Sequence, residues 1–178
     1  MSRSFAFLAA GLLIAAGCSR NKVDTAVPAN GTTARVAMRD ASGRPLGDLS
    51  LVQTQNGVLV TGTLSNVPPG THGIHVHAIG KCTPTFDAAG GHFNPTSRQH
   101  GYRNANGSHA GDLPNLNVGA DGTVRVELFT SMFDLGAGAN GLFDADGSAL
   151  VIHALADDYT TDPSGSSGPR IACGEVAR

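Results

Sequence analysis

Several features that mark common protein classes are missing from this chain. It carries no basic stripe of the kind that tracks a nucleic-acid backbone, and its 12 Lys+Arg stand against 14 Asp+Glu for a formal net charge of −2. No nucleic-acid partner is expected. Phe5 to Ala16 is an apolar run of about a dozen residues, too short for a bilayer-spanning helix, which needs about 20. Beyond residue 32 no amphipathic helical window of convincing length occurs, which argues against an all-α fold. Tryptophan is absent, and the 3 cysteines are an odd number that leaves one thiol unexplained by pairing.

What is present begins with the first thirty residues. Arg3, the apolar run and the small pair Gly17-Cys18 have the order of a cleaved export signal. The stretch Ile14-Ala15-Ala16-Gly17-Cys18 resembles a bacterial lipobox, in which the cysteine after the cut is lipidated. Ser19 in the next position fits sorting to an outer membrane. The expected organisation is a signal peptide over 1–17, lipidated Cys18 with a flexible tether over 18–32, and one folded domain over 33–178. Such a protein sits on the periplasmic face of a bacterial envelope membrane and touches the membrane only through its N-terminal lipid. If Cys18 carries lipid, Cys82 and Cys173 remain as a pair in an oxidising compartment.

From Thr33 onward the pattern has period two. Val36 and Met38 alternate with Arg35, Ala37 and Arg39; Leu49 and Leu51 share a face; Val58, Val60 and Leu64 follow the hairpin dipeptide Asn56-Gly57. Ile74 and Val76 interleave with His75 and His77, Val124, Val126 and Leu128 alternate, and Ala149 to His153 and Ile171 to Val176 complete the set. With 24 glycines between short strands, the expected class is all-β: an antiparallel Greek-key β-sandwich or barrel of about eight strands. Two long segments, Lys81 to Leu116 and Asp157 to Pro169, do not fit as strands and are expected to be functional loops.

The seven histidines carry the chemistry. On a strand, His75 and His77 project to one face, so one metal ion can take both without distorting the backbone, and His153 on another strand offers a third imidazole. His100, His109 and Asp112 offer two nitrogens and an oxygen from the long loop. Each group lacks a fourth ligand, and His92 lies between them in sequence. A deprotonated His92 ring can serve both metals, a state that two neighbouring dications favour. An imidazole-rich set suits copper, and a set with a carboxylate suits zinc.

The ordered motifs His72-Gly-Ile-His-Val-His77, Gly90-Gly-His-Phe-Asn-Pro95, His109-Ala-Gly-Asp-Leu-Pro-Asn115, Ala149-Leu-Val-Ile-His-Ala154 and Gly168-Pro-Arg-Ile-Ala-Cys-Gly174 resemble copper/zinc superoxide dismutase in its secreted bacterial lipoprotein form. The resemblance implies dismutation of superoxide to dioxygen and hydrogen peroxide with one copper and one zinc per chain. It implies that His75, His77, His92 and His153 are the copper ligands and His92, His100, His109 and Asp112 the zinc ligands. By the same resemblance Arg170 is expected to dock the anionic substrate beside the copper, and His92 to leave the copper on reduction and supply a proton. The resemblance further implies that Asp157 accepts hydrogen bonds from His75 and His100 and that Cys82 and Cys173 form a disulfide; His72, without a ligand role in the family, is expected to have a structural hydrogen-bonding role.

One departure stands out. Relatives of the eukaryotic type carry steering lysine and glutamate in the loop before the arginine, whereas residues 157–169 here hold acids at 157, 158 and 162 and no base. Lys81, close in sequence to the ligand region, is a candidate substitute. Two other readings compete with the enzyme: a copper-buffering envelope lipoprotein, and a zinc-only dismutase-like domain without activity. The strands do not reveal the oligomeric state, a homodimer being one of the assemblies such relatives form.

Overall fold

The structure, a computed structural model, describes residues 29–178. The expected signal, Cys18 and most of the expected tether lie outside the described residues.

Alternation builds the first hairpins as the side-chain pattern demands. In β1 (Thr33–Asp40), Ala34, Val36 and Met38 are buried while Arg35, Ala37 and Arg39 face out. In β2 (Pro45–Thr54), Leu46, Leu49 and Leu51 all face the core despite the spacing of three between the first two. A bulge resolves this: Met38 pairs with Gly47 and Arg39 with Pro45, so Leu46 is the extra residue that resets the alternation. Gly47 permits it with a φ of 134°.

The turn into β3 (Gly57–Leu64) departs from the simple hairpin expectation. Thr54 pairs with Gly57, so Gln55 and Asn56 form the loop and the glycine opens the strand. Gly57 has a φ of 150°, and a Cβ there would run into the carbonyl oxygen of Thr130 on the neighbouring strand. Its role is close backbone approach as well as turn geometry.

The remaining strands are β4 (Gly70–His72), β5 (Ile74–His77), β6 (Leu116–Val118), β7 (Val124–Thr130), β8 (Ala149–His153) and β9 (Arg170–Ala177). Seven form one antiparallel sheet in the order β5-β8-β9-β1-β2-β3-β7, and β4 pairs with β6 in a short ribbon. Only Gly73 separates β4 from the edge strand β5, and a short turn separates β6 from the other edge strand, β7. The ribbon therefore links the two edges, and the sheet curls into a half-barrel. Val36, Met38, Leu49, Leu51, Val58, Val60, Ile74, Val76, Leu150 and Ile152 fill it.

Both expected loops are present, together with a third long connection over 131–148 that the strand pattern does not reveal. It closes one end of the core by burying Phe133, Leu135 and Leu142, and the Leu135 amide donates to buried Gln53 Oε1 at 3.0 Å. Cys82 and Cys173 are joined, which ties the long loop to β9 across 91 residues; closing a loop of that length restricts the unfolded chain by about 4–5 kcal/mol in the chain-entropy model.

Gly57→Ala is expected to destabilise the metal-free protein by about 1–3 kcal/mol, because a strained φ is added to a backbone clash. Urea unfolding checks this: the midpoint falls and the slope stays constant.

Candidate metal centre

The outer face of the sheet edge carries the site. β5 and β8 pair with His75 opposite Val151 and His77 opposite Ala149. Because Ile74, Val76, Leu150 and Ile152 point into the core, His75, His77 and His153 share the other face. That face is largely shut off from solvent. The loop over 78–115 and the loop over 154–169 cover it, and all three histidines are buried. The 3-10 turn Phe86–Ala89 in the first loop packs Ala89 against Ala149, Val151 and Cys173, with the disulfide beside it.

Each ring is oriented by one of its nitrogens. His75 Nε2–H donates to Asp157 Oδ2 at 2.9 Å, His77 Nδ1–H to the Gly90 carbonyl at 2.9 Å, and His153 Nδ1–H to the Gly168 carbonyl at 3.0 Å. A neutral imidazole that donates through one nitrogen presents a lone pair at the other. Those other atoms, His75 Nδ1, His77 Nε2 and His153 Nε2, are buried without a hydrogen-bond partner, as is His92 Nε2. All four rings contribute a nitrogen to one group whose atoms lie within 4.8 Å of one another. Four converging lone pairs in a buried place are stabilised by a cation and by nothing the protein itself offers.

A second group adjoins the first. Asp112 Oδ1 lies 2.9 Å from His92 Nδ1, 3.0 Å from His100 Nδ1 and 3.3 Å from His109 Nδ1, and His92 Nδ1 and His109 Nδ1 are themselves 3.3 Å apart. Ligands of a tetrahedral zinc at 2.0–2.1 Å are separated by about 3.3–3.4 Å, so the spacing is close to that of a coordination shell. His100 Nε2–H is committed to Asp157 Oδ1 at 3.0 Å, so its Nδ1, facing the Asp112 carboxylate at 3.0 Å, needs a positive partner there: a proton in the metal-free protein or a cation when one is bound. The His92 ring sits between the groups, with its centroid 4.9 Å from that of His77 and 5.2 Å from those of both His100 and His109.

Asp157 joins the two groups, accepting from His75 and His100 on its two oxygens. It is itself clamped: its amide donates to Asn115 Oδ1 at 2.8 Å, Asn115 Nδ2 donates to its carbonyl at 2.9 Å, and the Asn115 amide donates to the Tyr159 hydroxyl at 2.8 Å. Tyr102 donates to the Asp112 carbonyl at 2.5 Å. Sequence reasoning passed over Asn115, Tyr102 and Tyr159; the only available signal was the position of Asn115 at the end of the His109 motif. His72 lies 2.8 Å from each of the His153 and Pro68 carbonyls, the structural role expected of it.

A cavity of about 410 Å³ opens onto His77, His92, His109 and His153, with Asn94, Pro163, Ser164 and Arg170 on its walls. Arg170 donates to the Phe86 and Gly90 carbonyls, each at 2.6 Å, so its guanidinium is held at the wall. The Gly90 carbonyl thus serves both His77 and Arg170. Lys81 is exposed and does not line this cavity. A larger cleft of about 760 Å³ beside the disulfide holds none of the histidines.

Burial sets the protonation of the strand histidines. It pushes His75 down to about 3, His77 to about 2 and His153 to about 4, with the carboxylate or carbonyl contacts opposing only in part. For His100 burial also acts downward, yet its hydrogen bonds to Asp112 and Asp157 prevail and raise it to about 9. Despite burial, the histidines around them hold Asp112 and Asp157 below the usual carboxylate range.

Comparison with known proteins agrees with this chemistry. The family model for copper/zinc superoxide dismutase matches residues 45–176. The chain is 46% identical over 137 residues to superoxide dismutase [Cu-Zn] 1 of Aquifex aeolicus, covering 75% of this chain and 81% of that protein. It is 38% identical over 148 residues to superoxide dismutase [Cu-Zn] of Caulobacter vibrioides, covering 81% and 85%. Among solved structures, a double mutant of a superoxide dismutase-like protein from Bacillus subtilis superposes with a TM-score of 0.78 at 41% identity, covering 81% of this chain and 97% of that one.

The pH response of the metal-free protein follows from these shifts. His75, His77 and His153 titrate below the unfolded value of about 6.5, so the unfolded chain binds more protons and stability declines as pH falls from 6.5 to 4. His100 acts oppositely: its contribution is complete below 6.5 and is lost as pH rises to 9. Thermal unfolding of metal-free protein is expected to weaken on both sides of pH 6.5. Loaded protein is expected to lack the alkaline decline, because a dication takes the place of the His100 Nδ1 proton.

Proposed function

The chain belongs to the copper/zinc superoxide dismutase family, and from that premise we propose that His75, His77, His92 and His153 hold its copper, that His92, His100, His109 and Asp112 hold its zinc, and that the His92 ring bridges the two. The enzyme is a superoxide dismutase with one copper and one zinc per chain. Two superoxide ions and two protons give one dioxygen and one hydrogen peroxide. The single observation that carries the residue assignment is the convergence of four partnerless buried nitrogens, one from each proposed copper ligand.

Bound copper supplies the one-electron exchange with superoxide, while zinc, having no redox chemistry, supplies charge and fixed geometry. The protein supplies the rest. His75, His77 and His153 keep their inward nitrogens unprotonated, because burial disfavours the imidazolium and the outward nitrogens are already donating. Arg170, half-buried and pinned to two carbonyls, presents its remaining N–H groups and a permanent charge to a small anion in the cavity. His92 lines the same cavity, and its Nε2 is the atom placed to take a proton and hand it to reduced substrate. Asp157 keeps the rings of both groups in register, as carboxylates behind metal-bound histidines do.

The copper-buffering and zinc-only readings find less support, since all four copper-set nitrogens are preorganised in a buried place. The assay that separates them combines metal content with turnover. Purified enzyme is expected to hold one copper and one zinc, to consume superoxide, and to lose that activity on copper chelation. Zinc alone, or exchangeable copper without turnover, overturns the assignment, and so does a structure of the oxidised, loaded protein in which His92 contacts only one ion.

For location we propose a lipid anchor at Cys18 on the periplasmic face of the envelope, supported by the N-terminal pattern Ile14 to Ser19. Cys18→Ala is expected to move the protein from the membrane to the soluble periplasmic fraction. An unchanged membrane fraction rules the anchor out.

A further inference from the structure

The entrance to the cavity carries an unusual balance of charge. Among the described residues, Arg170 is the one permanent cation on its wall. On the adjoining side lies a shallow cavity of about 470 Å³ that shares Arg170 and Gly168 with it, and Asp87 lines that side. The Asp87 carboxylate is 3.9 Å from Arg170 Nε, and its side chain is 90% exposed. Asp162, also partly exposed, approaches His109 Nε2 at 3.9 Å, although its Oδ1 is committed to the His100 amide. Of these two carboxylates, it is Asp87 that stands beside the guanidinium.

We infer that Asp87 is a rate- and affinity-setting residue for anions: by offsetting part of the charge of Arg170 at the entrance, it attenuates the capture of superoxide. The inference rests on the reading of Arg170 as the anion dock. The geometry separates a charge effect from a positioning effect. Arg170 is already fixed by two 2.6 Å bonds to the Phe86 and Gly90 carbonyls, and these belong to the turn that the disulfide and Ala89 anchor. At 3.9 Å Asp87 is beyond hydrogen-bonding distance, so what it contributes to Arg170 is field. A small anion reaching the guanidinium comes within a few ångströms of the carboxylate, well inside the Debye length of about 10 Å at 0.1 M salt. A unit charge at 4 Å in water changes an encounter about fivefold, and exposure reduces this, so about two- to fivefold is the expected scale.

The position of Asp87 on an exposed turn makes substitution safe for the fold. Fully loaded wild type, Asp87→Asn and Asp87→Ser are compared at equal copper and zinc content, with Arg170→Ala and the double variant Asp87→Asn/Arg170→Ala alongside. kcat/KM for superoxide is measured from low ionic strength to 0.5 M salt, and azide affinity is read separately by absorbance. Both Asp87 variants are expected to raise kcat/KM and tighten azide about two- to fivefold at low ionic strength. The gain shrinks with salt and is lost when Arg170 is absent. No gain, a lower rate, a gain insensitive to salt, or a gain that persists without Arg170 overturns the proposal. If Arg170→Ala changes neither azide affinity nor rate, the docking role of Arg170 fails first and this inference falls with it.

Discussion

Burying unshared lone pairs where no protein donor reaches them is the constraint on which the rest of this structure depends. His75 Nδ1, His77 Nε2, His92 Nε2 and His153 Nε2 converge without partners, while Asp112 Oδ1 stands within 3.3 Å of three further ring nitrogens. Leaving such groups unpaired in a low-dielectric place is strongly unfavourable, so the arrangement is stable in the company of positive charge. A copper ion and a zinc ion supply four positive units between them. The cluster, the cofactors of the family and the long covering loops are consequences of one electrostatic requirement.

The β-sheet meets half of that requirement by geometry alone. Pairing β5 with β8 puts His75 and His77 beside Ala149 and Val151 on one face, and the core residues on the other secure the orientation. The loops meet the other half, and they need anchors because irregular backbone has little packing of its own. The disulfide to β9, the Asn115–Asp157 clamp and the Tyr102 bond to Asp112 are such anchors. Asp157 then couples strand to loop, since one carboxylate orients a ring in each group. Movement of either group is felt by the other through this side chain.

Much of this was legible in the residues. Period-two alternation located β1, β3, β5 and β7, because the pleat sends every second side chain to the core, and short apolar runs located β8 and β9. The same rule put His75 and His77 together, and the ordered motifs implied two ligand sets, His92 included in both, whose donor atoms the fold brings within 4.8 Å of one another. Less visible were the features that break the rule. Leu46 faces inward only because of a bulge, Gly57 is required by a strand that arrives from 73 residues later in the chain, and the 131–148 connection is apolar inside a loop.

What the sequence by itself determined is the donor set, the strand faces and the family, since ligand chemistry and side-chain alternation are local properties that survive without a neighbour. Only the tertiary structure decided which ring nitrogen faces which group, because that depends on acceptors far away in the chain: Gly90 for His77, Gly168 for His153 and Asp157 for both His75 and His100. It likewise decided that Asp87, unremarked in the sequence, stands beside Arg170, for the two are brought together by a turn and a strand that a disulfide joins.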